Sequence, residues 1–183
     1  MLSHSSKYSA LTDEQLRLIG FITVEWSNIQ FLLSILLSRL LLSPEYPSRT
    51  HAEGKSALKL IEANCEALEI QEHRYRGALV EKESLELIRA LLKEIDQLRI
   101  TRNRIAHFCW SRSHDSELFG TRFSGGVPSA KREKRDVSVF SNEELEAVGG
   151  RCHQIVEKLI GVVSELPEVT EEEAIAIIKA KKA

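Results

Sequence analysis

Aromatic rings are scarce in this chain. Only 6% of its 183 residues are Phe, Trp or Tyr. A core with so few rings must be filled by Leu, Ile, Val and Ala, which suits packed helices. Cysteines are also few. Cys65, Cys109 and Cys152 are odd in number and form no CxxC pair, which excludes a zinc knuckle and a dithiol redox motif and points to a reducing compartment. An excess of one charge is missing too. Lys plus Arg number 25 against 27 Asp plus Glu, a net charge of -2. That excludes a generally basic nucleic-acid coat and leaves room for a local basic site. The greasiest stretch, Phe31 to Leu42, is too short for a membrane span and is interrupted by Arg39. The opening residues MLSHSSKYSA have no apolar leader core. The expectation is a cytoplasmic protein without membrane contact. Repeats and low-complexity segments are absent.

What remains is ordinary globular material. Hydrophobic residues make up 43% and charged residues 28%, and the length suits one domain with a sizeable core. Apolar spacing predicts a first helix from about Leu11 to Ser43, opened by a Thr12/Gln15 capping box and stopped by Pro44 and Pro47. A second helix is expected over about 51–68, with Leu58, Ile61, Cys65 and Leu68 on one face. Segment 69–78 reads as a connection. A third helix should span about Leu79 to Cys109, carrying Ile88, Leu91, Ile95, Leu98 and Ile105.

Residues 111–140 change character. They hold Gly120, Gly125, Gly126 and Pro128 and then the charged run 131–135, with alternating pieces at 117–123 and 136–140 on either side of the turn. The pattern fits a β-hairpin or an ordered loop. Ser141 with Glu144 then caps a fourth helix, whose apolar face holds Leu145, Val148, Cys152, Ile155, Val156, Leu159 and Val163 and which ends at Pro167. Thr170 with Glu173 caps a short last helix. The expected architecture is all-α: a four-helix bundle over residues 1–167, with a β-hairpin or loop insertion at 111–140 before the last main helix and a tail at 168–183.

The stretch Arg102-Asn103-Arg104-Ile105-Ala106-His107 carries the chemistry. At about 100° per residue, Arg102 falls in the middle of the third helix's apolar stripe, and His107 at its edge, one turn after Asn103. A guanidinium in such a place needs a partner or a cleft. Glu25 interrupts the first helix's stripe in the same way. Either the two form a structural ion pair fixing helix register, or Glu25 orients Arg102 toward an active site.

Arg102-Asn103 followed by His107 resembles the R-x4-6-H signature of the HEPN superfamily (higher eukaryotes and prokaryotes nucleotide-binding), in which a polar residue often follows the Arg. The element order of residues 12–165 agrees: a long helix with an inward Glu, the motif late in a helix, then a further helix. The resemblance implies a HEPN-like bundle and a metal-independent endoribonuclease, a toxin or defence effector, with Arg102 and His107 as catalytic pair and Asn103 as helper. The alternative is a non-catalytic HEPN-like module that binds RNA, a nucleotide or a protein. Implied partners are RNA, a second copy of the chain in a homodimer, and an antitoxin or regulatory protein. The chemistry is self-consistent. RNA brings its own 2'-hydroxyl nucleophile, His moves protons near neutrality, and a guanidinium stabilises a phosphorane. No metal and no cofactor are expected, since His51, His73, His114 and His153 are scattered singly. Lys131 and Arg132, with Arg112, either grip phosphates or belong to a solvated loop. Trp110 either stacks on a base or packs on the hairpin. Cys109, on the apolar stripe, reads as core.

Overall fold

A computed structural model describes residues 10–76, 79–123 and 135–180. The chain is mostly helical, with one small antiparallel sheet. The order is α1 (Asp13–Leu41), α2 (Glu45–Ala52), α3 (Ala57–Glu69), a single π-helical turn (Ile70–Arg74), α4 (Lys82–His107), β1 (Cys109–His114), β2 (Glu117–Phe123), β3 (Arg135–Ser141), α5 (Asn142–Glu165) and α6 (Glu171–Ala180). The chain divides into two compact units: Met1–Trp26 with Ile100–Cys152, and Ser27–Arg99 with His153–Ala183.

The second unit is all helix. Leu33, Leu36 and Leu40 of α1, Leu60 and Leu68 of α3, Leu85, Ile88, Leu92 and Ile95 of α4, and Ile155 and Leu159 of α5 are buried. Two buried amides tie it together. Asn64 Nδ2 donates to the Leu33 carbonyl at 3.0 Å, and Gln71, within the π-helical turn, donates from Nε2 to the Leu40 carbonyl at 2.5 Å. The segment read as a connection thus holds a turn of helix. Arg39 lies largely covered and holds two carboxylates, Glu45 and Glu168, each at 2.9 Å. The C-terminal tail is thereby fastened to α1 and α2. Leu42 sits at φ 51 after α1, where the Ser43 N–H reaches the Ser38 carbonyl and the Leu42 N–H reaches that of Arg39. This is a Schellman cap with a leucine where glycine is usual.

The first unit holds the sheet. Strand order is β1-β2-β3, both pairs antiparallel, with Trp110 opposite Gly120 and Gly120 opposite Ser138. One face carries Trp110, Leu118, Gly120 and Phe140 and is covered; the other carries Cys109, Phe119, Val137 and Val139 and is exposed. The β1–β2 turn is clamped from two helix starts. Gln15, fully buried, donates from Nε2 to the carbonyls of His114 at 3.1 Å and Glu117 at 3.2 Å. Asn142 donates from Nδ2 to the Asp115 carbonyl at 3.2 Å. The same Gln15 accepts the Thr12 N–H at 3.0 Å, so one side chain caps α1 and holds the sheet. The boxes at Ser141/Glu144 and Thr170/Glu173 also close as expected.

Several expectations give way. The first helix does end before Pro44, at Leu41, but the two prolines also flank the start of a further helix, α2, where a missing N–H costs nothing. The helix expected over 51–68 is therefore two, α2 and α3, and Leu58 is exposed rather than core. The third helix stops at His107, and a third strand, β1, begins at Cys109. Cys109 is consequently exposed on the sheet's open face, not buried in a helix stripe. The insertion is a three-stranded sheet rather than a hairpin. By length and apolar composition α1 also qualifies as a candidate membrane span, which Phe31 to Leu42 alone does not. Its leucines at 33, 36 and 40 are nevertheless fully buried by neighbouring helices.

Trp110 shows how tightly the covered face of the sheet is built. A Cβ at Gly120 would stand 2.5–2.8 Å from three Trp110 ring carbons. The ring cannot swing away easily, because its Nε1 donates to the Ile105 carbonyl at 2.7 Å. Gly120→Ala is predicted to cost about 1–3 kcal/mol by overpacking. Urea unfolding followed by tryptophan emission measures it; an unchanged midpoint would show that the ring is free to move.

Candidate functional site

The motif residues sit in the last turns of α4, within the first unit. Arg102 is half-buried. Its Cζ lies 5.5 Å from the centroid of the Trp26 ring, and its Nη1 donates to Asn103 Oδ1 in a long bond of 3.5 Å. Trp26 is 1% exposed, so the guanidinium rests on the inner wall of the unit. Burial lowers the Arg102 pKa from its ordinary value, and the nearby Cys152 partly opposes that. A ring face rich in π-electron density attracts a cation without the desolvation a carboxylate would suffer, which suits this half-apolar place.

The Arg102 guanidinium thus has Trp26 beneath it and Asn103 beside it. Glu25 is buried as its stripe position requires. Its charge is felt at Cys152, whose thiol is pushed up to about 11, first by burial and then by Glu25, with Arg102 pulling the other way. The structure thus gathers Glu25, Trp26, Arg102 and Cys152 around one inner polar spot. Cys152 is the member that periodicity placed only as core.

His107 is exposed at the end of α4. Five residues of helix separate it from Arg102, a rotation of about 140°. Within one chain the two side chains therefore leave α4 on different sides. Asn103 and His107 are a turn apart and share a side, which they also share with Ile100, 54% exposed. The outer side of the motif is thus an imidazole, an amide and an uncovered aliphatic chain.

Trp110 packs on the sheet. It stacks on Phe108 with centroids 5.8 Å apart, meets Phe140 at 5.7 Å, and lies against Gly120. Its indole N–H occupies the Ile105 carbonyl, one of those that α4 leaves without a helical donor. It closes the helix end instead of offering a face to a base. Arg112, on β1, is exposed and paired with Asp115 at 3.2 Å. Lys131 and Arg132 lie outside the described residues. Among the described residues no three His, Cys, Asp or Glu side chains gather as a metal cluster.

Comparison of the chain with known family models, with curated proteins and with solved structures returns no match. The functional reading accordingly rests on the residues themselves.

The buried thiol gives a prediction with a definite sign. A Cys152 pKa raised from 9.0 to about 11 means the folded chain keeps a proton that the unfolded chain releases. The associated stability is complete below the unfolded pKa and is lost as pH rises through the folded one. Denaturant melts between about pH 8 and pH 11 should show a steeper decline for the native chain than for Cys152→Ala. Parallel declines would place the thiol in contact with water.

Proposed function

We propose that the protein is a soluble, cytoplasmic HEPN-type endoribonuclease that cleaves RNA by attack of the 2'-hydroxyl on the adjacent phosphate, as a toxin or defence effector. The observation that carries this reading is Arg102, Asn103 and His107 at the end of α4, with the guanidinium held by Trp26 and Asn103 and the imidazole open to solvent. His107 would take the 2'-hydroxyl proton and return one to the leaving 5'-oxygen. Arg102 would stabilise charge on the phosphorane oxygens, and Asn103 would hold the guanidinium in place. Glu25 supports from behind, through the polar spot it shares with Cys152.

The rotation of about 140° between Arg102 and His107 shapes the reading. One chain presents one of each on different sides of α4, so we propose that a homodimer completes the site, Arg102 coming from one copy and His107 from the other. The exposed Ile100 beside His107, and the exposed Val24 on α1, offer apolar surface for such pairing. An antitoxin or regulatory protein would act by covering the same outer side. The same rotation also favours a second reading, a non-catalytic HEPN-like module that binds RNA, a nucleotide or a protein partner through Asn103 and His107.

Cleavage of a single-stranded RNA in the presence of chelator decides between them. The catalytic reading predicts 2',3'-cyclic phosphate ends and a loss of at least about 100-fold for His107→Ala or Arg102→Ala. Mixing those two inactive chains should restore part of the activity, because one composite site per mixed dimer is intact. Equal cleavage by both variants contradicts the assignment. Binding without cleavage by the native chain selects the second reading.

A further inference from the structure

A cavity of about 590 Å³ lies in the second unit, away in sequence from the motif, between α1, α2 and the start of α3. Its size is within the range of small-molecule sites. Phe31 and Tyr46 give it two aromatic walls, both substantially exposed although large rings are few in this chain. Arg49 lies over the Phe31 ring, its Cζ 4.7 Å from the centroid. Lys55 supplies a second cation. It is placed by the turn at Gly54, where φ is +74 and the Lys55 N–H returns to the Ala52 carbonyl at 3.0 Å.

The cations of this cavity differ from Arg39 and Arg89 of the same unit. Arg39 and Arg89 hold carboxylates at 2.9 and 2.6 Å. Among the described residues Arg49 and Lys55 hold none, and the lining contains one carboxylate, Glu53, against these two cations. Two of the hydroxyls lining the cavity have already spent their protons. Ser34 Oγ donates to the Phe31 carbonyl at 2.6 Å, and Thr50 Oγ1 donates to that of Tyr46 at 2.9 Å. The charged donors available to a guest are therefore the guanidinium and the ammonium. A guanidinium lying on a ring keeps its N–H fork in one plane, pre-set for a bidentate anion. Lys55 also lines a second cleft of about 280 Å³, where Lys59 is already paired with Glu62 at 2.6 Å and Glu66 adds another carboxylate. The anionic end of a guest is therefore met on the side of Arg49 and Lys55 in the larger cavity.

We propose that this cavity is a binding site for a small aromatic anion, its ring against Tyr46 and Phe31 and its carboxylate or phosphate on Arg49 and Lys55. The site is independent of the ribonuclease reading and requires no change at Arg102 or His107.

Calorimetric titration of the full chain with 1-naphthoate, 1-naphthyl phosphate and neutral 1-naphthol tests this. At least one anion should bind, and naphthol should bind at least tenfold more weakly. The tighter anion distinguishes carboxylate from phosphate as the natural head group. Arg49→Ala should weaken the anion at least tenfold, and Lys55→Ala several-fold. If Arg49→Ala melts early for want of its place on Phe31, Lys55→Ala and Tyr46→Ala carry the comparison. Naphthol binding as tightly as the anions, anion affinity unchanged in Lys55→Ala and Tyr46→Ala, or no anion binding at millimolar concentration would overturn the proposal.

Discussion

A guanidinium held on the inner wall of the sheet-bearing unit is the constraint around which the candidate site is arranged. Arg102 occupies a position where the α4 stripe calls for an aliphatic side chain. Desolvating an ion costs several kcal/mol, so the place is tolerable only with compensation. Trp26 supplies a ring face at 5.5 Å from Cζ. Asn103 adds a long hydrogen bond from the same helix. The cation in turn sets its surroundings: it opposes the upward push on the Cys152 thiol, which burial and Glu25 exert. Fixing the rotation of α4 about its axis in this way also fixes which side His107 faces.

The end of α4 is secured by a different device. Trp110 turns back to cap the Ile105 carbonyl and lays its ring on Gly120, so helix end and sheet are joined at one residue. Gln15 and Asn142 hold the β1–β2 turn from the starts of α1 and α5. The motif therefore lies on a helix whose terminus is closed by packing and whose following strand is anchored. This is the kind of support a site needs if its side chains are to keep their directions.

Much of this is legible in the sequence, and the failures have physical causes. Three capping boxes are local, and each closes because its partners are three residues apart whatever the tertiary fold. The buried Arg102, Glu25 and Cys152 follow from stripe position alone. Periodicity gives a face but not the neighbour across it, which is why the ring of Trp26 against Arg102 could not be read from the stripe. β1 is hidden because CWSRSH has no alternation, and its strand state depends on pairing with β2. α2 is hidden because prolines read as stops, whereas at a helix start they are harmless. The cavity was invisible because Phe31 of α1 meets Tyr46 and Arg49 of α2, with Lys55 beyond, only through folding.

The central claim is that Trp26 holds Arg102, and a double-mutant cycle measures it directly. Urea unfolding of the native chain, Trp26→Leu, Arg102→Met and the double variant yields their coupling free energy. A partly desolvated cation–π contact predicts coupling of about 1–2 kcal/mol. Losses that add within about 0.3 kcal/mol would contradict the account, leaving Arg102 energetically independent of the ring beneath it.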